Sequence, residues 1–143
     1  MKRLRLAAVP VLLALGVATC SDSLSPEALA GTYDLTAMDL VNPANPSQTV
    51  ELMEPGVSYT VVITANGSFT TYQDDVLQGT GTLTINGDTF TLTSIDDTTT
   101  GTITQNGDTI TLYQEGLTDW DWDDNVETPG TPADARLVMV RRP

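Results

Sequence analysis

The sequence predicts an all-β protein, an antiparallel up-and-down barrel of eight strands with a short N-terminal helical turn. Three observations carry this expectation. From Gly31 onward polar and apolar residues alternate, with Thr and aliphatic side chains dominating, the period of half-buried strands. Asn66-Gly67, Asn86-Gly87 and Asn106-Gly107 each sit between alternating segments. Asn-Gly is the strongest short hairpin signal, because both central residues of a type I′ turn need positive φ. Finally, the segment GTLTINGDTFTL starting at Gly81 recurs as GTITQNGDTITL starting at Gly101. One hairpin per repeat describes a meander rather than a βαβ chain.

The elements follow in order. Residues 1–5 hold Lys2, Arg3 and Arg5, and residues 6–18 are an apolar run weakened by Pro10. A run this short reads as a secretory signal rather than a spanning helix. It ends in Val17-Ala18-Thr19-Cys20, which resembles the bacterial lipobox, with Thr19 where Gly, Ala or Ser is usual. The resemblance implies a signal peptide over 1–19 and an acylated Cys20 as membrane anchor. Ordinary cleavage near Gly16 or Ala18, releasing a soluble secreted or periplasmic protein, is the alternative. A lone exposed thiol is awkward in an oxidising compartment and favours lipidation. Ser21 after the Cys resembles outer-membrane sorting. Residues 20–28 then form a tether, and the barrel domain occupies 29–143. The tether finishes in a helical turn with Ser25 as N-cap, Pro26 at the first helical position and Gly31 as the stop.

The eight strands are expected at 31–40, 59–65, 68–73, 79–85, 89–95, 100–105, 109–114 and 135–142. Alternation points Tyr33, Leu35, Val61, Ile63, Phe69, Leu83, Ile85, Phe90, Leu92, Ile103, Ile110 and Leu112 inward, and the Thr residues at 82, 84, 91, 93, 102, 104 and 111 outward. Such a meander either closes as a barrel or folds as a sandwich. Closure removes the edge strands that a Thr-rich chain would expose to aggregation. Outward Thr, Asp and Gln exclude an outer-membrane barrel.

A helical turn leading into Gly31-Thr32-Tyr33, the meander, and a final strand ending in Arg141 together resemble the lipocalin-like family of small bacterial envelope lipoproteins. The resemblance implies that Arg141 packs over Tyr33 and that the interior holds a small apolar molecule. An eight-strand barrel is also narrow enough for its own side chains to fill it.

Parity places the three Asn-Gly turns at one closed end. The segments 41–58 and 115–134 fall at the other end, with Asp74-Asp75 and Asp96-Asp97. The tether and Arg141-Arg142 share the closed end, whereas Glu51, Glu54, Asp74, Asp75, Asp96, Asp97, Glu115, Asp119, Asp121, Asp123, Asp124, Glu127 and Asp134 gather on the open rim. The 143-residue chain has 6 basic and 19 acidic residues and no His, a net charge of −13. Loss of the signal removes three of the basic residues and leaves −16. Nucleic acid is excluded as a partner. With no His, one Cys and its single Lys in the signal, the chain lacks nucleophile–base pairs and is expected not to be an enzyme.

Among site candidates, Trp120 and Trp122 form either a lid over the open end or an exposed platform for a sugar, a peptide or a partner. Tyr33, Phe69 and Phe90 would line a ligand space beneath them. Carboxylates at every second position, Asp119, Asp121 and Asp123, with Asp124 and Glu127, suggest a loose calcium site. An EF-hand is ruled out by Asp124 and Gly130, which stand where that loop needs Gly and Glu. No other cofactor is expected. The expectation is a non-catalytic envelope lipoprotein, placed in the outer membrane, that binds a small apolar ligand or an envelope partner at its acidic open end. The alternative is an interaction module with a filled barrel, with calcium on its rim.

Overall fold

Nine antiparallel strands form one sheet in the computed structural model, which describes residues 24–123 and 129–143. The expected signal peptide and Cys20, and two of the calcium candidates, Asp124 and Glu127, lie outside the described residues. The strands are β1 (Gly31–Asn42), β2 (Asn45–Glu51), β3 (Tyr59–Ile63), β4 (Ser68–Gln73), β5 (Val76–Asn86), β6 (Thr89–Thr93), β7 (Thr98–Asn106), β8 (Thr109–Trp120) and β9 (Thr131–Arg141). β1 and β3 to β9 pair in sequence, and β9 returns to β1 over Tyr33 to Val41, closing an eight-stranded, lipocalin-like barrel.

The ninth strand corrects the sequence reading, which leaves 41–58 as an open segment. β2 pairs with the end of β1 (Leu40↔Val50, Val41↔Thr49). Its alternation is masked by Pro43, Asn45 and Pro46, and Pro46 is tolerated because β2 is an edge strand with no neighbour beyond it. One edge of β1 is therefore shared, with Gly31 to Asp34 on β3 and Asp39 to Asn42 on β2. β8 and β9 also run past the barrel, pairing Thr118 with Ala133 and Trp120 with Thr131 beyond a bulge after Gln114. Together β2, the end of β1, the start of β9 and the end of β8 make a four-stranded flange at the open end.

Inside the barrel the expected inward set is observed. Tyr33, Ile63, Leu83, Phe90, Ile103, Ile110 and Leu112 are buried with Leu29 and Met139, and Leu35, Val61, Phe69, Ile85 and Leu92 pack against them. The helical turn supplies the stopper of the closed end. Ser25 Oγ accepts the Ala28 amide at 3.2 Å and the Ser25 carbonyl accepts Leu29 N at 3.0 Å, as the N-cap reading requires. Leu29, with no exposed surface, is held over the core. Tyr33 Oη donates to the Leu29 carbonyl at 2.7 Å and accepts from Arg141 Nη2 at 2.7 Å. The same guanidinium donates to the Ala28 carbonyl at 2.9 Å and lies 5.4 Å from the Tyr33 ring centroid. Arg141 is thus the residue that locks the first strand to the last.

The turns differ in type from the expectation. No Asn of the three Asn-Gly pairs has positive φ. Asn86 pairs with Thr89 and Asn106 with Thr109, so the central residues are Gly87-Asp88 and Gly107-Asp108, with Gly φ of 65° and 60°. One positive φ at the first central position is the type II′ arrangement. A type I′ turn on Asn86-Gly87 would set Asp88 opposite the inward Ile85, whereas the observed turn sets Phe90 there. At Asn66-Gly67 the loop is longer, with Gly67 (φ 85°) donating back to the Thr64 carbonyl at 2.9 Å. The type I′ geometry appears instead at Asp74-Asp75, whose φ values are 48° and 65°.

The repeated glycines have a packing role. Gly81 lies opposite Phe69 and Gly101 opposite Phe90. A Cβ on Gly101 would collide with the Tyr113 carbonyl and stand 2.8 Å from the Phe90 ring, and Gly81 is as tightly placed against Thr93 and Phe69. Each inward aromatic ring lies across a bare backbone, the device that lets large rings fit a narrow barrel. Gly101→Ala should therefore lower stability by about 1–3 kcal/mol through overpacking. Gly107→Ala, whose Cβ meets nothing but whose φ is +60°, should lose roughly 1–2 kcal/mol of stability to backbone strain instead. Urea midpoints of the two variants check this; a wild-type midpoint for Gly101→Ala would remove the packing account.

Candidate functional site

The interior offers little space. The interior void is ≈ 80 Å³, wholly apolar, and bounded by Leu29, Ile63, Phe69, Leu83, Ile103 and Met139 among others. Small-molecule pockets are usually about 300–1,000 Å³. Of the aromatic residues expected to line a ligand space, only Phe69 borders this void. Tyr33 is committed to Leu29 and Arg141, and Phe90 to Gly101. Where β1 parts from β3 beyond Asp34, a lateral opening of ≈ 310 Å³ is lined by Leu35, Met38, Tyr59, Val61, Tyr72 and Leu137. Val61 and Leu137 border both spaces.

Trp120 and Trp122 border neither. They lie at the tip of the flange, their ring centroids 6.5 Å apart and their planes inclined by 58°. Together with Asn42, Gln48, Asp121 and Asp123 they enclose a cleft of ≈ 330 Å³ beside the β1–β2 turn. Its walls are tied by side-chain amides. Asn42 Nδ2 donates to Gln48 Oε1 at 2.8 Å, Gln48 Nε2 donates to the Trp122 carbonyl at 2.8 Å, and Asn42 Oδ1 accepts the Ala44 amide at 2.9 Å. Asp121 Oδ1 accepts the Asp123 amide at 3.2 Å, which turns the chain after Trp122. Trp120 is 37% exposed. Among the described residues, Trp122 Nε1 is a buried donor with no partner.

A second polar group lies on the outer face below the flange. Register places Glu51, Asp39, Arg136 and Tyr113 in one row across β2, β1, β9 and β8. Arg136 pairs with the buried Asp39, its Nε 3.0 Å from Oδ2. Tyr113 Oη donates to the buried Asp134, whose Oδ1 accepts the Gly116 amide at 2.9 Å inside the β8 bulge. Asp134 therefore belongs to this buttress and not to the charged rim where parity puts it. Glu51 is also spent on backbone, accepting from Met38 N and Met53 N. Burial, with the neighbouring Asp134 carboxylate second, pushes the Tyr113 phenol up to about 12. At the other end Arg142 bonds Asp34 (Nε to Oδ1 2.8 Å) and Thr60, and that bond holds the Asp34 carboxyl below its ordinary range.

The remaining rim residues stay spread out. Among the described residues no three His, Cys, Asp or Glu side chains gather where they would hold a metal ion. Asp119, Asp121 and Asp123 form no such group, and Asp124 and Glu127 lie outside the described residues. Asp74 Oδ1 instead accepts the amide and hydroxyl of Ser58 at 2.9 and 3.1 Å, and Asp97 caps its own turn through the Thr98 amide. Among the described residues the exposed large apolar ones, Val76, Leu77, Ile95, Leu117 and Trp120, all sit at the open end, Ile95 at 96% exposure. Sequence reasoning missed Asn42 and Gln48, whose partners are 6 and 74 residues away. It also missed the Asp39–Arg136 and Tyr113–Asp134 pairs, although Asp39 breaks the alternation of β1 in a way that hints at its bulge.

The folded state holds the Tyr113 proton more tightly than an unfolded chain, whose phenol loses it near 10. The stability this contributes is complete below that value and is lost as pH climbs from about 10 to about 12. Tyr113→Phe should remove this part of the alkaline decline; equal slopes of urea midpoint against pH in variant and wild type would refute the assignment. Comparison with known proteins returned no match to a family model, to a curated protein or to a solved structure, so the reading of these sites rests on their geometry.

Proposed function

We propose that the protein is a non-catalytic envelope lipoprotein in which a filled barrel acts as a mount. Acylated Cys20 holds the closed end, and the flange and acidic rim meet an envelope partner at the other. The observation that carries this reading is the placement of the exposed apolar side chains. Val76, Leu77, Ile95, Leu117 and Trp120 are grouped at the end opposite the tether, and apolar side chains left in water among charges mark interaction surfaces. The acidic residues around them would steer a cationic partner and repel the anionic membrane that holds the anchor.

The interior supports the same reading, since ≈ 80 Å³ accommodates no more than a few heavy atoms. Asp39, Glu51 and Asp134 of the buttress are occupied in an ion pair and hydrogen bonds, which favours a structural rather than an acid–base role for them. A second reading, in which a small apolar molecule enters by the lateral opening, is favoured by Leu35, Met38 and Leu137 around its mouth.

Native mass spectrometry of the protein extracted from its own envelope separates the two. The expected species is the chain beginning at Cys20 with its acyl groups and no further non-covalent mass. A stoichiometric apolar ligand would replace the mount with the second reading, and a free thiol at Cys20 would remove the anchor.

A further inference from the structure

We propose that the cleft between Trp120 and Trp122 binds an alkylammonium group. The inference deepens the reading above by naming the chemistry that the open end recognises, and it rests on that reading only for the choice of working surface. Its basis is the combination of aromatic surface, charge and partly engaged amides in one cleft of ≈ 330 Å³.

Shape comes first. Two indoles with centroids 6.5 Å apart and planes at 58° form a corner. A cation in the cleft that both rings border meets aromatic surface, which attracts it within roughly 6 Å of a ring centroid, and Trp has the strongest such face.

Charge selects the occupant. Asp121 and Asp123 line the cleft and no Lys or Arg does. The three arginines among the described residues are engaged elsewhere: Arg136 with Asp39, Arg141 with Tyr33 and the Ala28 carbonyl, Arg142 with Asp34 and Thr60. The only lysine in the sequence is Lys2. No cation of the described barrel is therefore placed to fill the corner, and an anion would meet two carboxylates.

Hydrogen-bonding capacity separates a cation from a neutral polyol. A sugar needs donors as well as acceptors. Each side-chain amide of the cleft spends one N–H inside its walls, Asn42 on Gln48 and Gln48 on the Trp122 carbonyl, and Trp122 Nε1 is buried. What the cleft presents is π-face and carboxylate, the complement of an ammonium carried on carbon.

Two sources share this chemistry, a quaternary ammonium such as choline and the side chain of a lysine. The chain has only two tryptophans, so both indole N–H resonances report on the cleft, and titration of the full-length protein followed by these two signals is the test. Choline should shift both, and its neutral isostere 3,3-dimethylbutanol should bind roughly tenfold more weakly. Asp121→Asn should weaken choline several-fold and added salt should do the same. Trp120→Leu, at a partly exposed position that leaves the barrel core intact, should abolish the response at an unchanged melting temperature. A parallel titration with Nα-acetyl-lysine amide identifies the source. Tighter binding than choline assigns a protein lysine, and weaker binding assigns a quaternary ammonium. Equal affinity for choline and the neutral isostere would overturn the proposal, as would unmoved indole signals with both cations. Neither result would disturb the filled barrel, whose own failure, a ligand in the interior, would leave both indole signals where they were.

Discussion

The Arg141 guanidinium over Tyr33 is the contact on which the rest of the structure depends. A meander is a sheet with two free edges until its last strand finds its first, and here that seam runs along β1 and β9. Three partners converge at its closed end. Arg141 comes from the last strand, Tyr33 from the first, and the Ala28 and Leu29 carbonyls from the turn that stoppers the barrel. Hydrogen bonds involving a charged group are worth about 1.5–3 kcal/mol, and the ring beneath adds to them. No carboxylate takes part in this contact, which sets it apart from the Arg136–Asp39 and Arg142–Asp34 ion pairs along the same seam.

Closure at that end explains the different character of the other. Once Gly31 to Asp34 are fixed against β3, the rest of β1 leaves the barrel wall and takes β2 as its new neighbour. The longer β8 and β9 follow it outward, each step marked by a bulge. The flange forms where long strands are neighbours: β1, β8 and β9 have 11 or 12 residues and pair side by side, whereas β5, with 11, lies between β4 and β6, with six and five. Its outer face is braced by Arg136–Asp39 and Tyr113–Asp134, in each of which a buried carboxylate would be left uncompensated by loss of its partner. Its tip carries both tryptophans, away from the core where such residues usually serve.

The barrel was legible because period-2 alternation is a local property, and every inward residue it named sits in or against the core. The Tyr33–Arg141 contact was legible through resemblance, being 108 residues apart in sequence. Turn types were misjudged because Asn-Gly preference is weaker than the gain from pairing Ile85 with Phe90 instead of Asp88. The flange was hidden for a different reason. Pro43 and Pro46 mask β2, and the bulges in β1 and β8 interrupt alternation where the strands leave the barrel. The tryptophans stand out in the sequence as its only two, but their cleft depends on Asn42 and Gln48, amides with no pattern that a sequence displays.

The closing contact is a local clamp rather than a diffuse contribution to the core. Hydrogen exchange on Arg141→Met tests that most directly, since Met keeps the apolar stem and leaves Tyr33 bonded to Leu29. Amides of Thr32 to Leu35 and of Met139 to Val140 should lose protection first, while β5 to β7 keep theirs. A loss shared evenly by all strands, or no loss at the β1–β9 seam, would contradict it.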